Sequence, residues 1–178
     1  MTAAVTLHYA PDNASLCVRL ALLELGLPFD TLLVSRRDGG QRNPAYLALN
    51  PNGLIPTLET PDGPLFETAA ILLWLADRHR DGPILTPSVD DPDRGAFLTW
   101  LFWLSNTLHP QLRLIFYPDK HIAAPHIPAL NIRTRERTAE SLDILQAALQ
   151  RLSDWIGADQ PSVLDCYICP ILRWLKLY

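Results

Sequence analysis

The chain has 178 residues, 48% of them apolar and 19% charged, with a formal net charge of −4. This is the make-up of an ordinary globular protein with enough chain to bury a core, and it lacks the Lys/Arg blocks by which nucleic acid is bound. The longest uninterrupted apolar run, residues 69–76, falls far short of the ~20 residues of a membrane span, and no basic-then-apolar leader is visible at residue 1.

Three cysteines cannot build a disulfide framework, so a reducing, cytoplasmic setting is expected. Proline is abundant, at 16 residues. With apolar residues plentiful between the prolines, sharp element boundaries are expected rather than disorder.

In chain order, "VTLHY" at 5–9 reads as a short strand. "NASLCVRLALLELG" follows as a helix, with Leu16, Leu20, Leu23 and Leu27 at the spacing of one face and Gly26 and Pro28 as its stop. "FDTLLV" is a second strand, so the opening is a βαβ unit with a right-handed crossover. A polar stretch, "SRRDGGQRN", leads to a short helical patch at "PAYLAL". "TLET", the turn "PDGP" and "LFE" then read as an antiparallel hairpin. A helix from Thr68 to Arg80 closes this part, and βαβ followed by ββα is the order of the thioredoxin-type fold.

"RDGPILTPSVDDPD" is rich in Pro, Asp and Gly. The expected division is therefore an α/β domain over 1–80, a linker over 81–91 and an all-helical domain over 92–178. Asp91 and Pro92 open a long aromatic-rich helix, with a kink expected near Pro110. The next helix carries Leu142, Leu145, Leu149 and Leu152 as a seam, with the charges of "RTRERTAE" as a solvated face. Ser162 and Asp165 form a capping box for the last helix. That helix ends on apolar "WLKLY", and a further helical segment is expected to be missing after it.

One stretch breaks its own pattern. In "NPNGLIPTLET", Pro56 stands among sheet-forming residues although it has no N–H to give a ladder. In cis it would turn the backbone of Ile55 into a cleft, where an extended peptide can pair with it; in trans it would merely start an edge strand. Further on, Glu67 and Thr68 fall between a strand and a helix N-terminus. The free amides there suit a carboxylate, the threonine hydroxyl adds a donor, and Glu67 suits an ammonium on the same ligand. A plain N-cap explains the pair as well.

"NPNGLIPTLE", then "FETAAILLWLAD", then a helical part with "PSVLDCYICPILRWL", resembles the cytosolic glutathione transferase family over essentially the whole chain. The resemblance implies a glutathione-binding thioredoxin-like domain followed by an all-helical one, a homodimer, and no metal. It places Leu54, Ile55 and Pro56 against the cysteinyl backbone of glutathione, and Glu67 and Thr68 at its γ-glutamyl end. Arg37, with Arg36 or Arg42 as alternatives, would meet the glycine carboxylate.

The turn "YAPDNASLC" is similar to the bacterial beta-class pattern of cysteine followed by serine, with Ala14 at the cysteine and Ser15 retained. Ser15 is the first candidate to activate the thiol, Asn13 the second and Tyr9 a distant third. Lowering a thiol from a pKa of ~8.5 by about two units needs ~2.7 kcal/mol. One charge-assisted hydrogen bond and a helix N-terminus can supply that.

Beta-class enzymes often carry a histidine in the helix that holds His109, so His109, Asn106, Trp103 and Phe116 are candidates for the pocket of an electrophilic partner. Cys17, Cys166 and Cys169 are expected to be core filling. The spacing of the last two is that of a redox pair, but they lie within a helix.

The implied activity is attack of the glutathione thiolate on a small apolar electrophile. Dehalogenation, ether cleavage or isomerisation with glutathione are alternatives on the same scaffold. A non-catalytic glutathione-binding or protein-interaction module is the alternative of another class.

Overall fold

The computed structural model describes residues 5–177. Four strands, β1 (Val5–Tyr9), β2 (Phe29–Leu33), β3 (Thr57–Thr60) and β4 (Gly63–Phe66), form one sheet in the order β2-β1-β3-β4. β1 and β2 run parallel, from Val5↔Phe29 to Tyr9↔Leu33, across helix α1 (Ser15–Glu24). The hairpin β3–β4 joins antiparallel through Leu7↔Leu58 and Leu58↔Leu65. Leu7 and Leu58 are completely buried, because a strand in the middle of the sheet has a covered face for every second side chain.

The face of α1 differs from the expected leucine stripe. Cys17, Val18, Ala21, Leu22 and Leu25 are the buried apolar residues, while Leu23 is exposed and Leu16 and Leu20 only half-buried. α1 packs against both α3 (Thr68–Arg78) and α7 (Val163–Leu177). The small Cys17 and Ala21 on that face leave room for two helices to approach it. α3 stops two residues short of the expected Arg80.

Helix α2 (Pro44–Leu49) follows a 3-10 turn at Gly40–Arg42 and is capped by Asn43, whose Oδ1 accepts the Ala45 amide at 2.9 Å.

The second part is helical: α4 (Arg94–Trp103), α5 (His109–Phe116), α6 (Ile127–Ala148) and α7. Instead of a simple kink at Pro110, a π-helical segment, Leu104–Leu108, joins α4 to α5, and Pro110 is the second residue of α5. The widened turn absorbs the missing proline N–H. On α6 the leucine seam holds only in part. Leu145 and Leu152 are buried, but the chain tightens into a 3-10 turn at Leu149–Leu152 and leaves Leu149 exposed.

The box before α7 forms as expected. Asp165 Oδ2 accepts the Ser162 amide at 2.8 Å, and Ser162 Oγ accepts the Leu164 amide at 3.0 Å.

A single apolar core runs from Leu7 and Leu58 through Val18, Ile71 and Leu75 to Phe97, Leu101 and Ile171. A polar cross-brace supports it. Arg94, nearly buried, places both terminal nitrogens on the Asp77 carboxylate at 2.8 and 2.6 Å and bonds Thr86 Oγ1 and the Pro87 carbonyl. Among the described residues no helix is long and apolar enough to cross a membrane, and no group of His, Cys, Asp and Glu is arranged to hold a metal ion.

Candidate functional site

The loop before β3 is built by side chains that hold its main chain. Tyr46 donates its hydroxyl to the Leu54 carbonyl at 2.6 Å, and Asn50 Nδ2 donates to the same oxygen at 2.9 Å. Asn50 is 2% exposed, and its Oδ1 accepts the Asn52 amide. Burial raises the Tyr46 pKa, against the smaller downward effect of its bond to Thr57, so the phenol stays a donor. Gly53 sits at φ +59°, and a Cβ there would meet the Gln41 carbonyl at 2.8 Å, so only glycine fits.

The Ile55–Pro56 peptide is cis. The ladder with β1 starts one residue later, at His8↔Thr57, so Ile55 lies outside the sheet and half-exposed. Leu54, expected to offer its backbone to a ligand, has its carbonyl turned inward to Tyr46 and Asn50; its side chain is what faces solvent. Tyr46 and Asn50 were not singled out in the sequence, although an Asn before "PNG" is a turn signal.

Across this loop stands the turn into α1. Asn13 is half-buried. Its Nδ2 reaches the Ile55 carbonyl at 3.4 Å and its Oδ1 accepts the Ser15 amide at 2.8 Å. Ser15 is placed otherwise than expected. It is 3% exposed, and its hydroxyl donates to the Ala10 carbonyl at 3.2 Å and accepts the Ala10 amide at 3.4 Å. A hydroxyl whose proton and lone pair are both held by Ala10 braces the turn and has none to offer a thiol. Asp12, at φ +46°, is held from α7 by Arg173 at 2.8 and 3.1 Å. Tyr9 is half-buried at the end of β1.

The third part is the start of α3. Thr57 pairs with Phe66, so the residues that follow outward from that pair are Pro56 and Ile55 on one side of the hairpin and Glu67 and Thr68 on the other. Ile71 makes the first helical bond, to the Glu67 carbonyl. The amides of Thr68, Ala69 and Ala70 precede it and have no intrahelical partner. Glu67 adopts φ +71°, a left-handed conformation that costs a non-glycine residue energy, with its side chain exposed. Thr68 is buried at 7%.

Of the three arginines after β2, Arg36 is tied to Tyr117 at the end of α5 by a 2.6 Å bond, while Arg37 and Arg42 are exposed. Lys120 covers the same tyrosine ring at 4.6 Å.

The four residues expected around an electrophile do not form one wall. His109 turns to α7, where its Nδ1 lies 3.1 Å from the Tyr167 hydroxyl and its ring packs on Trp174. Burial, and then Arg113, lowers its pKa to about 4. Phe116 also meets Trp174 and lines an apolar pocket of ≈ 170 Å³ with Leu112, Ile115, Leu142 and Leu175. Trp103 packs edge-on against Trp100. Asn106 is exposed, its Oδ1 accepting the Ser105 hydroxyl at 3.1 Å.

Cys17 and Cys166 are buried, and burial pushes the Cys166 thiol up to about 12 and Cys17 higher still. Cys169 is exposed, contrary to the expected core role, because it falls on the outer face of α7.

This geometry has relatives. Residues 14–78 match the family described as "Glutathione S-transferase, N-terminal domain". "Glutathione S-transferase F10" of Arabidopsis thaliana is 31% identical over 162 residues, covering 88% of this chain and 74% of its own. "Disulfide-bond oxidoreductase YfcG" of Escherichia coli K12 is 32% identical over 180 residues, covering 97% and 81%. Among solved structures, a glutathione transferase from Burkholderia graminis with two glutathione molecules bound per subunit superposes with a TM-score of 0.83 at 28% identity, covering 98% and 74%. The chain belongs to the glutathione S-transferase family.

Proposed function

We propose that this transferase binds glutathione across the turn into α1, the Leu54–Pro56 loop and the start of α3, and activates its thiol for attack on a small apolar electrophile. The observation that carries the reading is the convergence at one corner of the sheet. The Ile55 backbone lies just outside the ladder, the Asn13 amide stands 3.4 Å from the Ile55 carbonyl, and the open N-terminus of α3 with Thr68 is one residue pair away.

In this reading Ile55 pairs with the cysteinyl backbone, Thr68 and the first amides of α3 hold the γ-glutamyl carboxylate, and Glu67 faces its ammonium. Asn13 is the donor to sulfur, as the half-exposed polar group of the turn. A bond to a charged acceptor contributes ~1.5–3 kcal/mol, enough to lower the thiol pKa by one to two units. Arg37 meets the glycine carboxylate. Ala14 at the cysteine of the beta-class pattern leaves the beta-class likeness to the surrounding turn. Phe116 and its apolar pocket serve the second substrate, which brings the electrophilic carbon to the thiolate. A cytoplasmic homodimer completes the proposal.

Retention on immobilised glutathione with turnover of an activated aryl halide is the expected result. Retention without turnover on a broad electrophile panel would leave a binding module, and no retention would refute glutathione as the ligand.

A second reading is favoured by the two relatives just described, one named as a disulfide-bond oxidoreductase and one holding two glutathiones. Here the bound thiolate attacks a mixed disulfide of glutathione, forming glutathione disulfide and releasing the other thiol. Turnover of such a disulfide at a rate exceeding that of any electrophile would select this reading.

A further inference from the structure

The turn that carries Asn13 also holds a strained residue, and the helical half reaches in to grip it. Asp12 adopts φ +46°. A residue with a Cβ meets a steric cost in that left-handed region. Aspartate tolerates it better than most, because its short side chain can bond nearby groups. Here the bond goes to a group 161 residues away. Arg173 of α7 places Nη2 at 2.8 Å and Nε at 3.1 Å from the same oxygen, Asp12 Oδ1.

The next residue is Asn13, aimed by two bonds of its own. Its Oδ1 accepts the Ser15 amide at 2.8 Å, and its Nδ2 reaches the Ile55 carbonyl at 3.4 Å. The longer bond is the weaker one and the first to be lost if the turn moves. β1 on one side and α1 on the other are fixed by the sheet and the core. A relaxation of φ at residue 12 would therefore be taken up in the turn between them, where Asn13 sits.

We propose that Arg173 is a positioning residue, which pins Asp12 in the left-handed conformation and so holds the Asn13 amide toward the glutathione sulfur. The proposal rests on the glutathione reading above, with Asn13 as the donor. It gives the helical half a part in a site whose glutathione contacts otherwise lie in the α/β half. The two side chains are 54% and 59% exposed, so the pair adds little to global stability. What it decides is smaller, the conformation of one residue, and a factor of a few in that local equilibrium is enough. The expected effect on the bound thiol is accordingly modest, about half a pKa unit.

The test separates conformation from charge at one position. Asp12→Ala and Asp12→Gly remove the same carboxylate and free the same guanidinium, but only glycine takes a positive φ at no steric cost. The pKa of bound glutathione, followed by its ultraviolet thiolate absorbance, should be about half a unit higher in Asp12→Ala than in Asp12→Gly. Arg173→Gln should raise it more in the wild-type background than in the Asp12→Gly background, with Tm moved only slightly in each. Equal rises in both backgrounds would make Arg173 a charge acting directly on the thiolate. Equal values in Asp12→Ala and Asp12→Gly would make the conformation of residue 12 irrelevant. Either result overturns the pin.

A second readout needs no ligand. The side-chain amide NMR resonances of Asn13 should stay near their wild-type positions in Asp12→Gly and move in Asp12→Ala. Resonances that are alike in the two variants, in protein that binds glutathione, overturn the pin alone. Wild-type protein that binds no glutathione overturns the glutathione reading, and the role of the pin with it.

Discussion

Around the Leu54–Pro56 loop, polar side chains hold main chain: Tyr46 and Asn50 on the Leu54 carbonyl, Asn13 on the Ile55 carbonyl, and Ser15 on both polar groups of Ala10. In the helical part, and where it meets α3, they hold one another: Arg94 on Asp77, Gln111 on Ser141, His109 on Tyr167. The first arrangement shapes a backbone surface and leaves part of it for a guest. The second closes on itself and locks helices. Polar substitutions should therefore be felt as lost ligand binding in the first region and as lost stability in the second.

The largest effect expected from that contrast is at the cross-brace. Arg94→Ala strands Asp77 and two oxygen acceptors, and should cost about 3 kcal/mol. For a chain of this size that is a fall in Tm of about 6–12 °C in a thermal scan. Glutathione affinity per folded molecule should stay unchanged. A large affinity loss without a fall in Tm would break the comparison.

Next is the acid response of His109. Its folded pKa of about 4 lies below the ordinary ~6.5, so between these values the unfolded chain binds a proton that the folded chain does not. The stability tied to the neutral ring is fully present above pH ~6.5 and is lost as pH falls toward 4, by up to ~2–3 kcal/mol. Tm measured from pH 7 to 5 should fall more steeply for wild type than for His109→Gln.

Thr68→Val tests the other side of the contrast. The volume is kept while the donor is removed, so glutathione should bind roughly ten-fold or more weakly in calorimetric titration, with Tm moved only slightly. The smallest effect is chemical. Of the three cysteines, the exposed Cys169 should alkylate quickly in the native protein, while Cys17 and Cys166 should react only as it unfolds. Fast labelling of more than one thiol would show that the core around α1 and α7 opens.

The sequence revealed what has a local cause. The hairpin turn, the proline at 56, the stop at Gly26 and the box at Ser162 and Asp165 each follow from the chemistry of a few neighbouring residues. What it hid depends on packing between distant segments. The buried face of α1 mixes the small Cys17 and Ala21 with Val18, Leu22 and Leu25, because two helices press on it, and leucine spacing alone cannot report that. The π-helical segment before Pro110 is one of several ways to accommodate a proline. The sequence ranks Ser15 ahead of Asn13 as the donor, and only the fold shows Ser15 turned to Ala10 and Asn13 toward Ile55. Tyr167 carries no local signal of its own, since its partner His109 lies 58 residues away.

The most direct measurement is the pKa of the bound glutathione thiol, followed through its ultraviolet thiolate absorbance in wild type, Asn13→Ala and Ser15→Ala. The proposed site predicts a value well below the free ~8.5 in wild type and in Ser15→Ala, returning upward by one to two units in Asn13→Ala. An unlowered thiol in wild type, or a rise in Ser15→Ala with none in Asn13→Ala, would contradict it.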